Sequence, residues 1–177
     1  MITAQKIRGR RAVAAAALAV IALGATGCGA INEQATTMQY VASDGFSVDV
    51  AGVKGRNIML VTNGANEEAR VIGSLINDTD APKTVTLTVA ENTVSIDVPA
   101  DSTKKLEDDA NKTILPGSGA EPGAHADVKF AVGGASSQQS IPVVNGALEE
   151  YRPYLPGGYD EATVEHLVPE APAEEGH

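Results

Sequence analysis

The sequence predicts an all-β fold, an antiparallel β-sandwich of seven to eight short strands. Three observations between residues 45 and 146 predict it. Short segments alternate apolar with polar side chains, turn-forming residues separate them at intervals of about ten residues, and no long amphipathic helical pattern interrupts them. Together these features are typical of two packed sheets of immunoglobulin-like type, and a small β-barrel is the main alternative.

The clearest strand signal lies at residues 84–89. Valine and leucine would occupy one face of that strand and three threonines the other. A turn at Glu91-Asn92 then leads into a second strand at 93–98, so that the pair forms a hairpin. The remaining strands are predicted at 46–50, 58–62, 69–76, 103–106, 126–132 and 140–144, with a loop at 107–124.

Composition restricts both the core and the partners. The chain has no Trp, two Phe and four Tyr, so the core must be built from Val, Ile, Leu and Ala. Residues 1–27 hold four of the 13 basic residues and none of the 23 acidic ones, which leaves a formal charge of −14 on the remaining 150 residues. A surface this acidic argues against nucleic acid as a partner and against electrostatic binding to anionic lipid head groups.

Residues 1–27 have the parts of a secretory signal peptide. Basic residues from Lys6 to Arg11 precede an apolar run at 12–23, and small residues follow. Twelve helical residues rise only about 18 Å, which is too short to cross a hydrocarbon core of about 30 Å. An N-terminal anchor that stays attached is the alternative. The residues that usually surround a twin-arginine signal are missing, so export by the Sec route is expected.

Ala25-Thr26-Gly27-Cys28 resembles the lipobox of bacterial lipoproteins. Small side chains precede the cysteine whose thiol takes a diacylglycerol as a thioether, although Ala25 replaces the commoner Leu. Cys28 is the single cysteine of the chain and cannot form an internal disulfide; a free thiol is the alternative. The resemblance implies that two acyl chains at Cys28 anchor the protein in the lipid bilayer, because each buried methylene contributes about 0.8 kcal/mol.

The segments on either side of the sandwich differ in composition. Residues 28–44 are small and polar and are predicted to be a tether, and residues 45–146 are the sandwich domain. Residues 147–177 form an acidic tail rich in Tyr and Pro, with a short helix predicted at 160–168 and disorder at 169–177.

No catalytic or metal-binding motif is present. His125, His166 and His177 have no metal-ligand spacing, and no G-x-S-x-G sequence occurs. Acidic residues cluster at 77–80 and 107–109 without the spacing of an EF-hand, so turn formation and solubility are the expected roles and weak surface Ca²⁺ binding is the alternative. The sequence therefore predicts no enzyme and neither catalytic nor metal-binding residues.

A second resemblance covers residues 45–146. After the lipobox and the tether come Gly73-Ser74-Leu75-Ile76-Asn77, a polar turn and a TVTL-type strand, and later a strand that ends in Ile141-Pro142-Val143-Val144. This arrangement resembles the actinobacterial LpqE-type lipoproteins, which are similar in turn to the periplasmic PCu(A)C copper chaperones. The resemblance implies a cupredoxin-like sandwich on the outer leaflet of the plasma membrane.

The copper role of those chaperones does not transfer with the resemblance. The family binds Cu(I) through two His and two Met, because soft thioethers suit that ion. Here residues 28–177 contain only Met38, in the tether, and Met59, in an apolar strand. His125 is followed by Ala126 and Asp127, so the family's His-x-Met pair is missing.

Two function hypotheses follow. The first is a non-catalytic binding or scaffold lipoprotein, without a cofactor, that works in cell-envelope assembly through a protein partner. Its candidate contact residues are Tyr151, Tyr154 and Tyr159, because tyrosine supplies contact area at low entropy cost. The alternative for these tyrosines is that their segment folds back over a sheet face. The second hypothesis is metal or small-molecule handling, with a copper chaperone that has lost or changed its ligands as the leading case.

Overall fold

Nine β-strands account for about half of residues 43–167, which are the residues that the computed structural model describes. The predicted signal peptide, most of the predicted tether and residues 168–177 lie outside that range. The all-β sandwich is confirmed. In chain order the strands are β1 (Phe46–Val50), β2 (Val53–Val61), β3 (Ala69–Asn77), β4 (Lys83–Val89), β5 (Asn92–Val98), β6 (Ser102–Lys105), β7 (Thr113–Leu115), β8 (His125–Val132) and β9 (Ala135–Val144).

The strands form two sheets that continue into each other. One sheet is antiparallel, in the order β5-β4-β8-β9. In the other, β2 lies between β1 and β3, and β3 pairs with β7 through its first residues and with β6 through its last. The end of β9 pairs in parallel with the end of β2, where Leu60 lies opposite Val143 and Val61 opposite Val144. The hydrogen bonding therefore runs from one sheet into the other.

The main core lies between the two sheets and is built almost entirely of aliphatic side chains, as the shortage of aromatic residues predicts. Val85, Leu87 and Val89 are at most 1% exposed, which confirms the alternation predicted for β4. The threonines of β4 lie on its other face, where each pairs with a polar side chain of β5. Phe130 of β8 is the largest of the fully buried side chains.

Several element boundaries differ from the prediction. β7 lies inside the predicted loop at 107–124, β2 begins five residues earlier than predicted, and β9 begins at Ala135 rather than at 140. Val89 pairs with Asn92, so Ala90-Glu91 forms the hairpin turn instead of Glu91-Asn92. Two separate 3₁₀ turns, Glu161–Thr163 and Glu165–Leu167, replace the continuous helix predicted at 160–168.

A β-bulge in the middle of β2 changes which faces its side chains occupy. Arg56 lies opposite Ser74 and Met59 opposite Ile72, so that two residues of β2 oppose Gly73 of β3 alone. Asn57 takes a left-handed backbone conformation at φ 54°, which asparagine tolerates better than most residues. After the bulge, alternate side chains of β2 enter the main core, and those between them, Met59 and Val61, lie on the outer face.

Gly73 is required at the position opposite the bulge. Its φ of 114° is a conformation that side chains with a Cβ rarely adopt. A Cβ added there would lie 2.6 Å from the carbonyl oxygen of Asn57 and 2.8 Å from that of Arg56. The first residue of the G-x-L-x-N motif therefore lets the backbones of β2 and β3 approach each other.

The last residue of that motif, Asn77, joins three chain segments from within the core. Its side-chain nitrogen donates hydrogen bonds to the carbonyls of Ala81 (2.8 Å) and Pro99 (2.9 Å). Its side-chain oxygen accepts hydrogen bonds from the backbone and the hydroxyl of Thr79. Because Asn77 is buried, these bonds satisfy a polar side chain that would otherwise be unpaired in the core.

The chain after β9 contains short helical turns. Residues 145–167, here called the C-terminal segment, contain a 3₁₀ turn at Glu149–Tyr154 before the two turns already described. None of the helical stretches within 43–167 has the length and apolar character needed to cross a bilayer.

We expect Gly73→Ala to lower the free energy of unfolding by about 3 kcal/mol, because a side chain there adds backbone strain and a clash with β2. Urea unfolding followed by circular dichroism measures the change. Gly134→Ala is the matched control, since no atom lies within 4 Å of its added carbon. Equal stability losses for the two variants would contradict the role assigned to the bulge.

Candidate functional site

The C-terminal segment packs on the outer face of β2 and β3. Tyr151 and Leu155 are buried there against Met59, Val61 and Ile72, in a cluster separate from the main core. The segment thus folds back over a sheet face, which is the alternative that the sequence left open for its tyrosines. Whether the segment also contacts a partner stays a prediction.

Tyr151 connects the C-terminal segment to the beginning of the domain. Its hydroxyl donates a hydrogen bond of 3.0 Å to a carboxylate oxygen of Asp44. Burial of the ring, and then the hydrogen bond to the Asp44 carboxylate and its negative charge, raise the pKa of Tyr151 above its ordinary value of 10.0. Tyr151, which the sequence offered as a contact for another protein, therefore forms its hydrogen bond within the chain.

Tyr154 covers a buried arginine. The guanidinium of Arg70 lies 5.1 Å from the centre of the Tyr154 ring and is 3% exposed. Arg70 also donates a hydrogen bond of 2.7 Å to the carbonyl of Glu107 and lies 3.5 Å from the carboxylate of Asp109. These contacts join the C-terminal segment, β3 and the chain that follows β6 through one charged group.

Tyr159 is the most exposed of the three tyrosines, at 37%. The guanidinium of Arg152 lies 4.1 Å from the centre of its ring, and Arg152 donates a hydrogen bond of 3.0 Å to the carbonyl of Gly146. Gly146 is buried under Tyr159 and Leu155, and a Cβ there would lie 2.6 Å from the Tyr159 ring. The turn of the chain after β9 is therefore closed by an aromatic ring that still faces solvent.

Two adjoining clefts lie along the C-terminal segment. The first has a volume of about 550 Å³ and lies between this segment, the end of β9 and the chain before β8; Tyr151, Leu148 and Glu121 line it. The second, of about 750 Å³, is lined by Tyr159, Arg152 and both carboxylates of the last turns. Leu167 and Ala147 line both clefts.

The exposed apolar side chains of the molecule concentrate at these clefts. Among residues 43–167, the large hydrophobic residues with much exposed area are Leu148 (54%), Leu167 (53%) and Tyr159 (37%). Single exposed leucines are common on protein surfaces, but several in one concave region are typical of a binding site. These three residues with the two clefts are here called the C-terminal surface.

The histidines and the methionine among the described residues lie on different elements. His125 is exposed at the beginning of β8, His166 is exposed beside the first cleft, and Met59 is buried under the C-terminal segment. Within 43–167 no group of three or more His, Cys, Asp or Glu residues could hold a metal ion. The other candidate residues lie outside the described residues. They are Cys28, the lipobox residues Ala25, Thr26 and Gly27, and also Met38 and His177.

Sequence reasoning missed the leucines and the clefts. Leu148 and Leu167 stand near acidic residues and belong to no regular apolar repeat, so no periodicity distinguishes them. A signal for the covered sheet face was present in the unbroken apolar run Ile58-Met59-Leu60-Val61. Such a run indicates burial on both faces of a strand, and here the second face is covered by the C-terminal segment.

Comparisons with known proteins add a similarity to solved structures. No protein-family model matches the sequence, and no curated protein is significantly similar to it. Among solved structures the chain is similar to a "Copper-bound PCuAC domain from PmoF2", with 15% sequence identity and a TM-score of 0.43. The similar region covers 56% of this chain and 98% of that domain. At this level the similarity carries no information on what this chain binds.

We expect Tyr151→Phe to remove a pH-dependent part of the stability. Because the folded-state pKa of Tyr151 is raised, the unfolded chain releases this proton first as pH increases. The stabilisation is therefore complete below pH 10 and is lost as the pH rises through the folded-state pKa. Urea unfolding between pH 8 and pH 11 should show the parent losing its advantage over Tyr151→Phe in that range.

Asp44→Asn is the matched variant, since it keeps the tyrosine and removes the charge of the acceptor. We expect its loss of stability with rising pH to lie between those of the parent and Tyr151→Phe. An unchanged pH dependence in Tyr151→Phe would show that Tyr151 does not cause the loss of stability, and an unchanged one in Asp44→Asn would show that the contact with Asp44 does not contribute to the raised pKa.

Proposed function

We propose that this chain is an exported lipoprotein, anchored by acylated Cys28 on the extracytoplasmic face of the cell membrane, with a non-catalytic β-sandwich that binds an envelope protein. The C-terminal surface is the proposed contact. The anchor rests on the signal-like residues 1–27 and on the lipobox resemblance. The binding role rests on the structure of residues 145–167.

One observation carries the binding role. Within the described residues, the exposed large hydrophobic side chains all belong to one short segment and line two adjoining clefts. Exposing leucine to water has a free-energy cost of about 25 cal/mol for each Å² of apolar area, which a bound partner removes. The outer face of β4 is polar by contrast, since it carries three threonines.

The tyrosines divide into two roles in this proposal. Tyr151 and Tyr154 hold the C-terminal segment on the sandwich, through Asp44 and Arg70 respectively. Tyr159 has exposed ring area and is the tyrosine that a partner reaches. Because the segment is fixed before binding, little conformational entropy is lost when a partner docks.

We expect labelled palmitate to enter the native protein and not a Cys28→Ser variant, because serine cannot form the thioether. The parent should fractionate with the membrane, and the variant should not keep this stable attachment. Radiolabelling in cells followed by membrane fractionation measures both. If the parent takes up no label and the two proteins fractionate alike, the lipoprotein proposal is wrong.

Site-specific crosslinking in living cells tests the binding role. A photo-reactive amino acid at Leu148 or Leu167 should give a discrete adduct with an envelope protein, identified by mass spectrometry. The same amino acid at Gln138, which is exposed on β9, is the control and should give no such adduct. Identical adduct patterns at the three positions would contradict a partner site on the C-terminal surface.

A further inference from the structure

The rim of the C-terminal surface is acidic. Glu121 lines the first cleft, and Glu161 and Glu165 line the second. The C-terminal segment as a whole contains five carboxylate side chains and one arginine. All three cleft glutamates are exposed, so a bound partner meets their charges directly.

The single arginine of the segment, Arg152, lines the second cleft and offsets only part of this charge. The guanidinium of Arg152 is bonded to the carbonyl of Gly146, lies over the Tyr159 ring and approaches the Glu149 carboxylate to 3.5 Å. Two of its donor atoms, Nε and one terminal nitrogen, are thus directed into the segment itself. His166 is the other cationic candidate, and it faces the first cleft beside Leu167.

We infer that the C-terminal surface binds a basic segment of a partner protein, one that places apolar side chains against Leu148 and Leu167 and Lys or Arg side chains beside the cleft glutamates. This inference rests on the proposed function and specifies the chemistry of its partner. Apolar contact supplies the affinity, and charge complementarity supplies selectivity and a fast, salt-dependent association.

Charge argues against the other occupants of the clefts. A second copy of the chain would bring the same carboxylates face to face across a two-fold contact. Residues 168–177 contain three glutamates and no basic residue except His177, so they would bring like charge into the clefts. An anionic lipid surface is repelled for the same reason.

The test uses the full chain, purified in a non-ionic detergent, and fluorescein-labelled synthetic peptides of twelve residues. One peptide alternates Lys with Leu; a second replaces every Lys with Glu, and a third replaces every Leu with Ser. Fluorescence anisotropy at low and at physiological salt measures binding. We expect the first peptide to bind, with an affinity that falls as salt is added, and the other two to bind far more weakly.

Two double variants separate the apolar from the charged contribution. Leu148→Ser with Leu167→Ser should weaken binding of the first peptide about tenfold. Glu161→Gln with Glu165→Gln should weaken it about fivefold and reduce its salt dependence. Glu91→Gln with Asp127→Asn is the matched control, because both residues are exposed and lie outside the lining of the two clefts. Circular dichroism checks that each variant is folded.

Several results would overturn the inference. Two of them concern the peptides: equal binding of the acidic and basic peptides, or cleft variants that bind the basic peptide as well as the parent does. Two concern other occupants: self-association of the chain that the leucine variant abolishes, or binding to phosphatidylglycerol vesicles that the cleft variants abolish. A discrete crosslink from Leu148 to an acidic partner segment would overturn the inference and leave the proposed function standing. Absence of any crosslink, with peptide binding intact, would contradict the proposed envelope partner and leave the preference of the clefts for basic segments standing.

Discussion

The close approach of β2 and β3 at the bulge is the constraint on which the rest of the structure depends. Asn57 is the extra residue, and only a glycine at position 73 leaves room for the two backbones. By inserting one residue, the bulge keeps Val53 and Leu60 in the same core although they are separated by an odd number of residues. After the bulge, the residues between the core positions of β2 are Met59 and Val61, which point away from the main core and are apolar.

An apolar outer face must be covered, and the C-terminal segment covers it. Tyr151 and Leu155 supply the buried area, and the contacts to Asp44 and Arg70 determine where the segment lies. Leu148 of the same segment stays half exposed at the edge of a cleft that Tyr151 also lines. The proposed binding surface therefore adjoins the second cluster.

Predictability from sequence followed the strength of local patterning. β4 and β8 alternate cleanly and were predicted closely, since half-buried strands have a period of two residues. β7 has three residues, too few to show any period, and the first residues of β9 are polar on both faces. β7 and the beginning of β9 form because neighbouring strands offer backbone groups for pairing. The sequence of one segment does not show which strands will lie next to it.

The sequence by itself determined the all-β class, the aliphatic core and the acidic surface, because composition and short-range alternation depend only on neighbouring residues. It also contained the lipobox resemblance around Cys28. Only the tertiary structure decided that the tyrosines pack on a sheet face, that Gly73 faces a bulge and that isolated leucines share two clefts. These features join residues up to about a hundred positions apart, so their contacts arise from packing between segments and not from any local pattern.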